Sequence, residues 1–74
     1  MDRYEQRKKL TEQINSLRDE LKNCYLSISA YYKTMSKVND DIRINTIQEA
    51  IDRELDKSKE IRAKVDLLLK DYLS

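Results

Sequence analysis

Val38-Asn39-Asp40-Asp41-Ile42-Arg43-Ile44-Asn45-Thr46-Ile47 decides the fold, because two apolar seams meet in it out of phase. Upstream, apolar residues run Leu10, Ile14, Leu17, Leu21, Cys24, Ile28, Tyr31, Met35, Val38, Ile42, alternating steps of four and three. That alternation is the heptad pattern of a helix that packs on another helix. Ile14, Leu21, Ile28 and Met35 take position a, and Leu10, Leu17, Cys24, Tyr31 and Val38 take d. Asp2 followed by Glu5 offers an N-cap and an acidic first turn.

Carried further, this register would place Asn45 at d and Glu49 at a, so the seam stops. A second seam begins two residues out of phase: Ile44, Ile47, Ile51, Leu55, then Ile61, Val65, Leu68, Tyr72. Coiled-coil discontinuities insert three or four residues, and an offset of two matches neither. The mismatch therefore predicts a change of chain direction. Asn39, Asp40, Asp41 and Asn45 suit a turn because they tolerate the left-handed conformation and bond their own backbone. Thr46 with Glu49 reads as a capping box, with Asn45 as a competing cap.

The expected fold class is all-α: an antiparallel two-helix hairpin with coiled-coil heptads, completed by oligomerisation. Helix 1 is placed at about 3–38, a connector at about 39–45 and helix 2 at about 46–73, in one domain spanning 1–74. At 1.5 Å per residue the helices would be about 54 and 42 Å long. The alternative is a single parallel coiled-coil helix of about 110 Å.

Composition narrows the chemistry. Among 74 residues there is no Gly, Pro, His or Trp, one Cys, and a 39% charged fraction of net charge +1. Phosphate loops, dinucleotide fingerprints and EF-hands need Gly. A histidine base or zinc ligand has no residue to supply it, and one Cys makes no intrachain disulfide. No enzyme, cofactor or metal site is expected. Charges of both signs alternate along the chain, so neither a nucleic-acid stripe nor an acidic tail is read. The first twenty residues lack an apolar run, and no stretch of 18 apolar residues occurs. Neither a signal peptide nor a membrane span is expected, and the cytoplasm is the default location, with signal-independent export compatible.

The remaining candidates are few. Cys24 at d is either a reactive or bridging thiol or a small buried hydrophobe. Asp40, Asp41, Asp52 and Asp56 could be read as a cation site, but Arg53, Lys57 and Lys59 among them favour a solvated charged face. Tyr4, Tyr25 and Tyr32 all fall at e, beside Tyr31 at d, so the stripe around Tyr25, Ile28, Tyr31, Tyr32 and Met35 is wider than one seam needs. Tyrosine offers large contact area with a polar tip and suits half-wet interfaces. Near the other end Leu67, Leu68, Leu69, Tyr72 and Leu73 surround most of the helix, opposite a helix 1 start that is charged until Leu10. Both excesses point to further helices packing there. Glu54 and Ser58 interrupt the middle of the second seam and weaken the hairpin alone.

Asn45-Thr46-Ile47-Gln48-Glu49-Ala50-Ile51 resembles the start of the second helix in type III needle co-chaperones, small hairpins that hold a polymerising subunit together with a partner. The layout is also similar to WXG-type secreted hairpins, without their Trp-x-Gly turn. These resemblances imply an accessory or chaperone-like subunit of a specialised bacterial secretion system. The residues themselves imply a protein-interaction module, working as a homodimer or in a heteromeric helical complex. No nucleic acid, membrane insertion or small-molecule substrate is expected. The alternative function is a coiled-coil spacer or oligomerisation element.

Overall fold

Asp2 and Asp40 start the two helices of the chain, each by the same device. In the computed structural model, which describes residues 2–74, the Asp2 carboxylate accepts from the Glu5 backbone N–H at 2.8 Å. The Asp40 carboxylate accepts from the Ile42 N–H at 3.0 Å. Each thereby satisfies one of the free amides at a helix start. Helix α1 spans Arg3–Met35 and helix α2 spans Asp41–Leu73, 33 residues each. They pack against each other along their length, and the molecule measures 58 × 14 × 14 Å. The chain is an all-helical hairpin, not an unbroken rod.

The reversal is tighter than the spacing suggested. Helix 1 was expected to reach about 38 and helix 2 to begin at about 46; the connector is instead residues 36–40. The end of α1 winds into a tighter turn, where the Lys37 N–H reaches the Thr34 carbonyl and the Val38 N–H that of Met35. Such three-residue bonds satisfy carbonyls that the helix leaves open. No described residue has positive φ. The turn therefore needs neither Gly nor the left-handed geometry that its Asn and Asp residues tolerate. Ser36, with φ −65° and ψ −16°, keeps helical angles at the C-cap.

Thr46 and Glu49 do not form the cap. Thr46 lies one turn inside α2, and its hydroxyl donates to the Ile42 carbonyl at 3.0 Å. Asp40 takes the cap because its extended backbone, φ −89° and ψ 118°, leaves its carboxylate facing the first free amides. Ile42 consequently belongs to α2, not to the α1 seam, and stands 77% exposed.

The α1 seam otherwise points inward as its spacing requires. Ile14 and Cys24 are buried, and Leu10, Leu17, Leu21, Ile28, Tyr31, Met35 and Val38 are half-buried. On α2 the inward line runs Ile44, Ile47, Ile51, Glu54, Ser58, Ile61, Val65, Leu68, Tyr72, a heptad without interruption. Leu55, expected in the seam, is exposed at its edge, and Glu54 turns inward in its place. A helix facing one partner follows the partner's groove, so phase overrides the apolarity of a single residue. Ile14, Cys24, Ile61 and Val65 form one core cluster, flanked by Leu17, Leu21, Leu68 and Leu69.

Candidate functional site: the tyrosine face

Two helices in one seam leave two long sides, and the apolar surplus lies unequally on them. Counting α2 with Ile44 at a, its e positions are Gln48, Leu55, Arg62 and Leu69. Antiparallel helices set e beside e, so these share a side with Tyr4, Tyr25 and Tyr32 of α1. All three tyrosines are exposed, Tyr4 at 76%, while Tyr31 and Tyr72 are half-buried in the seam. A broad apolar phenol in water at three positions of one helix face is the feature that asks for an occupant.

The surface here is grooved. One shallow groove gathers Arg3, Tyr4, Arg7, Lys8, Thr11, Glu12 and Tyr72 where the two termini meet. A second, midway along α1, is lined by Arg18, Leu21, Lys22, Tyr25 and Leu26. On the opposite side of the hairpin, Leu17, Lys64, Leu67 and Leu68 line a third with Gln13 and Ser16.

The structure thus separates the sequence-derived interface residues into groups. Tyr4, Tyr25 and Tyr32 form one exposed face, and Leu67 borders the groove on the other side. Leu73 is exposed at the helix end. Ile28, Tyr31, Met35, Leu68, Leu69 and Tyr72 are half-buried between the helices. Leu68 and Leu69 pack on the hairpin's own core, so the C-terminal leucines have partners within the chain. The cluster they pack against is Ile14, Cys24, Ile61 and Val65. Leu26 and Leu55, exposed beside the tyrosines, add to the face; the spacing had placed Leu55 in the seam instead.

The termini are joined by polar contacts as well. The Arg7 guanidinium stacks on the Tyr72 ring at 5.4 Å, and Arg3 donates to the Ser74 carbonyl at 3.4 Å. These fix the antiparallel alignment at the open end of the hairpin.

Cys24 lies in the middle of the seam, 1% exposed. Burial pushes its thiol pKa up, and the Glu54 carboxylate beside it pushes further in the same direction; Glu20 adds to this and Lys57 opposes it. A thiol held protonated and out of solvent is a poor nucleophile. Of its two readings, the small buried hydrophobe is the one its surroundings fit. Ser58, also buried, donates to the Leu55 carbonyl at 2.7 Å and leaves no orphaned hydroxyl.

Asp52 accepts from the Gln48 side-chain amide at 3.1 Å on the exposed surface. Among the described residues no group of three His, Cys, Asp or Glu side chains could hold a metal ion. No helix among them is long and apolar enough to cross a membrane. No protein-family model, curated protein or solved structure matches the chain.

Proposed function

We propose that this chain is a non-enzymatic protein–protein interaction module, acting as an accessory subunit, chaperone or adaptor through helix-on-helix packing. Its setting is a dimer or a heteromeric helical complex in the cytoplasm, of the kind that serves a specialised secretion apparatus. The observation that carries the reading is the mismatch between a thin core and a broad exposed face. Among the described residues only Ile14, Cys24, Ile51, Ile61 and Val65 are buried apolar residues, whereas Tyr4, Tyr25, Leu26, Tyr32 and Leu55 stand exposed. A single core in a chain of this size contributes about 3–5 kcal/mol at most. A partner helix on the tyrosine face would add burial to both molecules, stabilising this chain by mass action while keeping the partner soluble.

Sedimentation with parallel circular dichroism over a dilution series tests this. Helicity and melting temperature should fall at low micromolar concentration for the chain alone and recover with its partner. A monomer that stays fully helical and melts cooperatively at that concentration overturns the reading. Purification of the tagged chain from its own cell identifies the partner.

A further inference from the structure

On α1 the charges around the tyrosines are of one sign, whereas on the α2 half of the same side Asp52 and Asp66 at b alternate with Lys59 and Arg62. In α1 the e and b positions, which carry Tyr4, Tyr25 and Tyr32, also hold Lys8, Arg18 and Lys22 and no carboxylate. The acidic residues of that half, Asp2, Glu5, Glu12, Asp19 and Glu20, all fall at c, f or g. The grooves show the same arrangement in space. Arg18 and Lys22 flank Tyr25 and Leu26, and Arg3, Arg7 and Lys8 surround Tyr4, with Glu12 alone at the rim.

We propose that the tyrosine face of α1 receives an acidic amphipathic helix, one whose apolar stripe is bordered by Asp or Glu. This rests on the helix-packing function above and adds the chemistry of the partner. The tyrosines recur in the α1 heptad, Tyr25 and Tyr32 seven residues apart and Tyr4 three heptads before Tyr25. A helix laid along the same supercoil meets each of them in turn over about 42 Å. Its apolar residues cover the rings, and its carboxylates meet Arg18 and Lys22 and accept from the phenol hydroxyls. Interfacial charges of this kind select partner and register. A second copy of this chain fits poorly, because pairing the face with itself sets Lys8, Arg18 and Lys22 against one another.

The test is a selection against the full-length chain. The displayed library holds helical peptides about four heptads long, with apolar seam positions and flanking positions drawn evenly from Glu, Gln and Lys. Recovered binders should be enriched in Glu at the flanks. Their affinity for the double variant Arg18→Glu with Lys22→Glu should fall at least about tenfold, and Lys-flanked versions should regain it. Arg18 and Lys22 are exposed, so both replacements leave the hairpin core untouched.

Binders rich in Gln or Lys that still lose affinity on Tyr25→Ala overturn the acidic partner and leave helix packing standing. No peptide dependent on Tyr25 overturns both. A homodimer in sedimentation that Tyr25→Ala dissociates assigns the face to a second copy and overturns the proposal. Binding of polyuridylate RNA or phosphatidylserine vesicles that the double variant abolishes, with no peptide recovered, overturns it in favour of that ligand.

Discussion

Arg7 and Tyr72, 65 positions apart in the sequence, are stacked guanidinium on ring at 5.4 Å, joining the first turns of α1 to the last turn of α2. With the nearby bond from Arg3 to the Ser74 carbonyl, this contact closes the end of the hairpin opposite the connector. A cation over a ring still reached by solvent contributes about 0.5–1 kcal/mol. Arg7→Ala should therefore lower the melting temperature by a few degrees, and Tyr72→Ala by more because its ring is also half-buried. A double-mutant cycle by thermal melts should return a coupling of about 0.5–1 kcal/mol; a coupling of zero would show that the stack contributes nothing.

Ile51 is completely buried and has the largest side chain so enclosed. Ile51→Ala should cost about 2–5 kcal/mol, close to all that one small core supplies. The variant should lose most of its helical circular dichroism at 25 °C. Ile42→Ala, at an exposed position in the first turn of α2, should change stability by less than about 0.5 kcal/mol.

The position of the reversal is tested by two caps. Asp40→Ala removes the acceptor of the Ile42 N–H and should cost about 1 kcal/mol. Thr46→Ala removes only a hydroxyl bonded back to the Ile42 carbonyl within the helix, and should be neutral or slightly stabilising. Chemical denaturation of the two variants side by side distinguishes a helix that starts at Asp41 from one that starts at Asn45 or Thr46.

Cys24 links stability to alkaline pH. Its folded pKa is raised, chiefly by burial and then by Glu54. The unfolded thiol loses its proton near pH 8.5 while the folded one keeps it. The stabilising contribution is thus full below that value and is lost as pH rises through the folded pKa. Unfolding free energy should decline above about pH 8.5 more steeply in the native chain than in Cys24→Ala. Equal slopes in denaturant titrations would disprove the linkage.

Glu54→Gln removes the charge beside the thiol and should lower the Cys24 pKa, seen as an earlier titration of its Cβ resonance. Glu54→Leu removes the same charge but adds apolar burial around the thiol, so it should lower the Cys24 pKa less than Glu54→Gln does. It should also raise stability by about 1 kcal/mol, by filling a half-buried seam position with apolar surface. A loss of stability in Glu54→Leu would mean that the carboxylate makes contacts worth more than that burial.

Much of this molecule is legible in its periodicity. Leu10 through Met35 face inward because a step of four and three residues keeps side chains on one side of any α-helix. The surplus at Tyr4, Tyr25 and Tyr32 was visible for the same reason, since position in the heptad settles which residues lie outside a two-helix seam. Helix ends were less legible. Asn39, Asp40, Asp41, Asn45 and Thr46 are all competent caps, and local chemistry does not rank them.

By itself the sequence placed the α1 seam and showed that the apolar surface exceeds what one seam can bury, and it pointed to two helices with one continuous rod as the alternative. Only the tertiary structure decided the rest. It chose Asp40 as the cap, because the cap is the residue whose extended backbone meets the free amides once the helices are docked. It kept Glu54 and Ser58 in the seam, where the sequence had placed them, and moved Leu55 out to the edge, because the groove of α1 sets the phase of α2 over its whole length. And it set Leu55 of α2 on the same side as Tyr25 and Tyr32, which depends on how the two helices dock.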